Sequence, residues 1–350
     1  MRFAFGAGGT GGHIIPALAL AKELKAAGHE CFFIGNKDSM EERLSQNAGF
    51  GFRTIQVQKL YRKLSLSNLL FPYYLFKSVL DCQKLIRACQ GVITTGGFVA
   101  GPVALAALRL RIPCFLHESN SYPGLTTRHL AKHLTRFYIS FDETAKYLPK
   151  VKAINLGIPI IKREIVEFKL PDIGLQEAKD TLLISGGSQG SVALNKVISQ
   201  AMPELLARGW QIIWQTGANS YQEYQALHKD TPGLYLFDFS PLLAEMMKAA
   251  KLAITRAGAL TIAELEAAKL PAIHIPLPTA AANHQYYNAL AQKQKGIATL
   301  IEQKDFSPQR LLNTLDSVGN WLDTSKLNAL SENTAARDIA QDILNTYQRR

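Results

Sequence analysis

The stretch from residue 3 to residue 21 constrains this chain more than any other. A short apolar run, Phe3-Ala4-Phe5, ends in Gly6-Ala7-Gly8-Gly9-Thr10-Gly11-Gly12-His13 and leads into Ala17-Leu18-Ala19-Leu20-Ala21, a run of strong helix formers. That order predicts a buried strand delivering a loop nearly without side chains to a helix N-terminus. Backbone N–H groups and the positive end of the helix dipole then face whatever sits there, which favours an anion such as a diphosphate. His13 is the one titratable side chain in the loop and so a candidate general base near neutral pH; capping the helix or positioning an acceptor is the equal alternative.

The device returns in the second half. A strand over 181–184 ends in Gly186-Gly187-Ser188-Gln189-Gly190 and opens a helix over 192–207. Around the two loops, strands expected at 2–5, 30–34, 51–57, 92–95, 113–116, 137–140 and 153–156, then at 212–215, 234–237, 252–255 and 272–275, alternate with helices. Pro16 marks the start of the first helix and Gly28 its stop. Helices over 308–322 and 331–347 close the chain. The pattern predicts an α/β protein with two doubly wound parallel sheets, and 350 residues suit two domains. The stretch 157–179, rich in Pro, Lys and Glu, reads as the region linking them. The expected domains are 1–160 and 161–335, with a helix over 336–350 that can cross back to the first. Ligands of such sheets bind at the carboxyl ends of the strands, so two facing ends would make a cleft.

The net charge of +11 is one-sided: residues 1–160 hold 20 Lys and Arg against 9 Asp and Glu, and the remainder 19 against 19. A basic half suits an anionic partner, nucleic acid or an acidic membrane leaflet. The aromatic-interleaved basic motifs of RNA modules are missing, so nucleic acid is not expected. Lys59-Leu60-Tyr61-Arg62-Lys63 and the following 69–77, with Leu70, Phe71, Tyr74 and Phe76, are too short to span a bilayer but suit shallow insertion; a buried helix is the competing reading. No signal peptide is expected. Cys31, Cys82, Cys89 and Cys114 stand in apolar contexts without metal-like spacing, which reads as free thiols in a reducing compartment.

The loop formally matches G-x-G-x-x-G, but a dinucleotide also needs an acidic residue where the second strand ends, and here that strand ends Phe33-Ile34-Gly35-Asn36. No Gly-Lys-Ser/Thr follows either loop, and no metal motif exists, so neither metal nor cofactor is expected. Leaving-group charge would then fall to helix dipoles and side chains. In the strand–turn–helix pattern over 254–266, Thr261 stands in the first helical turn, where it can donate to a phosphate, and Glu264 one turn later. Glu264 either accepts from vicinal ribose hydroxyls or merely complements the helix dipole. Glu118, after the strand at 113–116, is a second base candidate, against plain strand-end hydrogen bonding. Asn283-His284-Gln285-Tyr286-Tyr287-Asn288 concentrates polar groups at another helix start.

Gly8-Gly9-Thr10-Gly11-Gly12-His13, Thr95-Gly96-Gly97-Phe98-Val99-Ala100-Gly101-Pro102, His117-Glu118-Ser119-Asn120, Gly186-Gly187-Ser188-Gln189-Gly190, Arg256-Ala257-Gly258-Ala259-Leu260-Thr261 and Asn283-His284-Gln285-Tyr286-Tyr287-Asn288-Ala289, in this order, resemble the MurG family of peptidoglycan N-acetylglucosaminyltransferases. The resemblance covers nearly the whole chain. It implies a GT-B fold, two Rossmann-like domains facing across a cleft. The implied reaction is inverting transfer of N-acetylglucosamine from UDP-N-acetylglucosamine to the C4 hydroxyl of lipid I, on the cytoplasmic side of the cell membrane. It places donor contacts at Thr10, Gly11, Gly12, Asn120, Ser188, Ser240, Ala259, Leu260, Thr261, Ile262, Ala263, Glu264 and Gln285. The chain departs from the family pattern at Ile161, where a cation is usual, at Ser119, where glutamine is usual, and at Ala282, where an aspartate is common. A GT-B enzyme glycosylating a diacylglycerol would share both glycine loops.

Overall fold

The computed structural model describes residues 1–58, 69–162 and 166–348, so the basic stretch 59–63 and Arg163 lie outside the described residues. The chain divides into two compact units, residues 1–162 with 333–350 and residues 163–332.

The first unit holds a parallel sheet ordered β3-β2-β1-β4-β5-β6-β7, with β1 Arg2–Gly6, β2 Glu30–Gly35, β3 Gly51–Thr54, β4 Gly91–Thr94, β5 Cys114–Glu118, β6 Arg136–Ile139 and β7 Ala153–Asn155. Its central strands are apolar on both faces because both faces are covered, as parallel sheets require. Phe3, Phe5 and Phe33 point into one core with Leu20 and Leu24; Ala4, Phe32, Ile34 and Val92 point into the other with Val99 and Val103. The helix Ala335–Gln348 lays Ile339 and Ile343 into the first of these cores. Tyr138 donates to Asp342 at 2.8 Å and Tyr347 to the carbonyl of Gln90 at 2.7 Å.

The second unit repeats the plan: β10-β9-β8-β11-β12-β13, all parallel, with β8 Thr181–Ser185, β9 Gln211–Gln215, β10 Leu234–Phe237, β11 Leu252–Thr255, β12 Ala272–His274 and β13 Ala298–Leu300. In each sheet the order reverses direction at the strand that comes first in the unit's sequence, β1 or β8, which makes the crevice beside it the ligand position of a doubly wound fold.

Three expectations need correction. The first helix runs Gly11–Ala26, so Pro16 is its sixth residue and does cost a hydrogen bond. Gly11 and Gly12 are already helical, which brings the helix end right up to the strand. Pro102 is likewise sixth in the helix Gly97–Arg109. The stretch 166–179 is no linker: Leu170 and Leu175 are buried in the second core against Leu183 and Ile213. The helix expected over 308–322 breaks into Pro308–Asp316 and Val318–Trp321 at Ser317. Gly28, by contrast, is the stop it promised to be: its φ is +83°, its N–H bonds the Lys25 carbonyl, and His29 N–H bonds that of Leu24. All four cysteines are buried and free, and burial pushes the thiols of Cys31, Cys82 and Cys114 up to about 12 and that of Cys89 to about 11.

Candidate active site

In the first unit, the loop after β1 packs against the loop after β4. A side chain on Gly97 would lie 1.9 Å from the Gly8 carbonyl oxygen, so that position must be bare. Thr95 Oγ1 donates to the His13 carbonyl at 2.6 Å, and His13 Nδ1 bonds the Thr95 carbonyl at 3.0 Å. A carbonyl can only accept, so Nδ1 carries the proton, and the neutral form of this ring has its lone pair on Nε2. The half-buried imidazole is thereby fixed in one tautomer and one orientation. Gly11, which opens the helix, has no left-handed φ, and a Cβ there would meet nothing within 4 Å. Neither backbone nor packing asks for glycine at 11; a ligand approaching the N–H groups would.

Glu118 is buried and fully engaged. Oε1 accepts from the Asn120 backbone N–H at 3.1 Å and from Asn120 Nδ2 at 3.2 Å; Oε2 accepts from the Gly124 N–H at 2.9 Å and Thr127 Oγ1 at 2.7 Å. Four donors leave this carboxylate organising the loop 119–124, the strand-end role weighed against a base. Asn120 is held by it, and its carbonyl accepts from Thr144. His117 beside it is buried, bonded to the Gly157 carbonyl at 3.0 Å, and desolvation drops its pKa to about 4.

In the second unit, the helix Ala259–Ala267 starts at Gly258 without a side-chain cap. Its first intrahelical bond is Ile262 N–H to the Gly258 carbonyl, so the N–H groups of Ala259, Leu260 and Thr261 precede the ladder. Such a helix start suits an anion. Of the residues 259–264, Ala259, Ile262 and Ala263 send their side chains into the core; Leu260, Thr261 and Glu264 are half-exposed. Only the last two bring polar side chains. Asn288, wholly buried, pins the turn by donating to the Ala257 carbonyl at 3.2 Å.

Ser188 is exposed at the tip of the other glycine loop. Gln285 Oε1 accepts from the Leu277 N–H at 3.0 Å, and Ser240 Oγ from Leu242 N–H at 3.1 Å. Ala282 and Asn283, just ahead of the helix His284–Lys295, both take left-handed φ, +53° and +55°. For an alanine that conformation costs about 1 kcal/mol, strain of the kind that collects at binding sites.

The family 28 glycosyltransferase N-terminal domain matches residues 3–139 and the family's C-terminal domain residues 181–343. The chain is 36% identical, over 91% of its length and 90% of the relative's, to the UDP-N-acetylglucosamine–N-acetylmuramyl-(pentapeptide) pyrophosphoryl-undecaprenol N-acetylglucosamine transferase of Bacillus licheniformis. It is 33% identical to the same enzyme of Lactococcus lactis, over 99% and 98%. The crystal structure of Acinetobacter baumannii MurG matches with a TM-score of 0.77 at 28% identity, over 98% of this chain and 99% of that one. The chain belongs to the MurG family. Its two Rossmann-like units are those of the GT-B fold.

Two buried charged residues beside the glycine loops of this MurG-family chain have no role in the sequence reading. Arg256 opens the 256–261 motif. It is buried; Nη2 donates to Ser191 Oγ and Gln303 Oε1, both at 2.6 Å, and Nη1 to the carbonyls of Ile275 and Pro276. None of these partners is a carboxylate, and burial lowers its pKa to about 10. The other is Glu41, buried against Gly8 and Gly9. Its only sequence signal was the helix start announced by Ser39 and Glu42, whose N–H the Ser39 hydroxyl caps at 3.2 Å.

The membrane candidates rearrange. The helix Phe71–Ile86 buries Ser78, Val79, Cys82 and Ile86, while Leu69, Leu70, Tyr73, Phe76 and Leu80 are exposed; Phe71 and Tyr74 are only half-exposed. Positions 73, 76 and 80 form one stripe at helical spacing, with the exposed Leu69 and Leu70 just ahead of the helix. The buried-helix reading therefore holds for one face, and the other face stands exposed. Among the described residues no helix is long and apolar enough to cross a membrane.

Proposed function

We infer that this chain transfers N-acetylglucosamine from UDP-N-acetylglucosamine to lipid I, giving lipid II in peptidoglycan synthesis. The observation that carries this is identity of 33–36% over nearly the full length with transferases named for that reaction. The enzyme is a hexosyltransferase, and we assign its site as follows.

His13 is the general base. Its Nε2 takes the proton of the muramoyl C4 hydroxyl as that oxygen attacks the sugar's C1 opposite the leaving group; the bond from C1 to the β-phosphate oxygen breaks, and its electron pair leaves with UDP. The α-linked donor thus yields a β-linkage. Support for His13 is the locked tautomer, since a base must be aimed as well as basic. The N–H groups of Ala259, Leu260 and Thr261, the Thr261 hydroxyl and Ser188 take the diphosphate charge that grows as UDP departs. Glu264 accepts from the ribose hydroxyls, Ser240 lies by the uracil, and Gln285 by the sugar. Thr10, Gly11 and Gly12 line the acceptor-side loop, and Glu118 positions Asn120.

The protein works as a peripheral protein of the cytoplasmic membrane surface, docked through Leu69 and the exposed stripe Tyr73, Phe76 and Leu80 on an anionic leaflet. An apolar face that the core does not use, on the unit holding all the excess positive charge, supports this.

The deciding experiment is incubation with radiolabelled UDP-N-acetylglucosamine and a lipid I analogue. Labelled disaccharide-lipid is expected. Label appearing only on a diacylglycerol acceptor, or on none, overturns the assignment.

A further inference from the structure

The loop that Glu118 ties down carries more than Asn120. Glu118 holds it at Asn120 and again at Gly124 with Thr127, and Thr144 Oγ1 donates to the Asn120 carbonyl at 3.2 Å. The segment after β6 is thereby fastened to the segment after β5. Between these anchors Tyr122 meets Tyr147 edge to face, with ring centroids 4.7 Å apart. The Arg128 guanidinium lies over the Tyr122 ring, 5.4 Å from its centroid, and Nη1 stands 3.4 Å from the phenol oxygen. Tyr122 is half-exposed; Tyr147 and Arg128 are exposed. Among the described residues Arg128 meets no carboxylate. A guanidinium already held on an aromatic face gives up little further freedom when it takes an anion. Its surroundings are basic as well: residues 119–152 hold six Lys and Arg against two Asp and Glu.

Position decides which anion. Tyr122 and Tyr147 follow β5 and β6, at the same carboxyl edge of the sheet where His13 bonds Thr95 in the loop after β4. The loops after β5 and β6 lie one and two strand spacings from that loop, about 5 and 10 Å. In a muramoyl-pentapeptide acceptor the peptide hangs from the carbon next to the reacting C4 hydroxyl, and five extended residues reach about 17 Å. The stem therefore spans the distance, and every peptide ends in a carboxylate. We propose that Arg128, seated on Tyr122 and Tyr147, is a subsite for a carboxylate of the acceptor's peptide stem. The planar fork of arginine matches a carboxylate with two parallel hydrogen bonds, and the flanking rings offer apolar surface to the small side chains beside it. This rests on the acceptor reading given above, and extends it from the sugar to the peptide.

Steady-state kinetics of the full chain on two soluble lipid I analogues tests it: one with a free pentapeptide stem, one with the carboxylates of that stem amidated. The wild-type protein is expected to favour the free acid about tenfold in kcat/KM, through KM, the usual worth of a hydrogen-bonded charge. Arg128→Gln is expected to erase that preference. A wild type without the preference overturns the proposal, and so does a preference that survives Arg128→Gln. A loss on Arg128→Gln that is equal for both analogues also overturns it, because it sets the cation against the diphosphate that they share. A wild type that turns over neither analogue overturns the transfer reaction itself, whereas turnover of both without discrimination overturns the subsite alone.

Discussion

The two glycine loops sit at the same place in two sheets of the same order, yet they meet opposite charges. Beside the loop after β1 lies a buried carboxylate, Glu41; beside the loop after β8 lies a buried guanidinium, Arg256, reaching the N-cap Ser191 of the following helix at 2.6 Å. A helix N-terminus backed by a cation attracts phosphate. The glycines make both loops approachable, and side chains from elsewhere in the chain set the charge beside each. The first loop also carries the imidazole, locked against Thr95, while the second carries none. On the proposed assignment, one unit supplies the proton acceptor and the other the seat for the donor's diphosphate.

Removing His13 strikes that division hardest. His13→Ala is expected to lower kcat by about 10²–10⁴, the usual worth of a positioned base, with the donor KM within a few-fold of wild type. A kcat within a few-fold of wild type would return His13 to a positioning role. Next comes the surface. Among the described residues, the second unit exposes large apolar side chains only singly along the sequence, at Val166, Val192, Leu227 and Phe239, whereas the first bears the stripe. Replacing Leu69, Tyr73 and Phe76 together with Ser should cost about 3 kcal/mol of binding to anionic vesicles, roughly a hundredfold, while leaving turnover of a soluble acceptor analogue intact. Unchanged vesicle binding would break the contrast between the units. Smaller again is Arg256→Lys, which keeps the charge but forfeits about two of four hydrogen bonds. About 2 kcal/mol of stability should go, together with a raised donor KM and an unaltered kcat for bound donor. Urea unfolding and steady-state kinetics read the two effects separately.

How much of this stood in the sequence follows from what each feature depends on. The sheets were legible because parallel strands buried on both faces read as apolar runs, and Gly28 because a helix stop is a local event. Pro16 misled: a proline usually opens a helix, but here two helical glycines precede His13 and put the proline a turn deeper. The 69–77 segment could not be settled by pattern because one face is buried and the other is not: Leu69, Leu70, Tyr73 and Phe76 are exposed, while Phe71 and Tyr74 are half-exposed. Glu41 was invisible for a different reason. It lies six residues beyond the end of β2, and only the cap at Ser39 turns the helix so that the carboxylate faces the glycines. Arg256 gave no sign that its partners would be a serine hydroxyl, a glutamine and two carbonyls from distant stretches of the chain.

Where the units are alike, they should also respond alike, and acid offers the test. Each sheet buries one histidine near the carboxyl end of its strands: His117 at the end of β5, bonded to the Gly157 carbonyl, and His274 at the end of β12, beside the Thr255 hydroxyl at 3.2 Å. Desolvation holds both at about 4, below the ordinary 6.5. Above pH 6.5 each ring is neutral folded and unfolded, and contributes nothing to the pH dependence. As pH falls from 6.5 towards 4, the unfolded chain binds a proton that the folded chain refuses, so stability drops by about 1.4 kcal/mol per pH unit for each histidine. Between pH 6.5 and 5, before most carboxylates titrate, His117→Asn and His274→Asn should each flatten that slope by one histidine's share in the transition of the unit that carries it. Thermal unfolding across that window measures it. A slope indifferent to His274 but sensitive to His117 would show that the likeness of the two sheets stops at their topology.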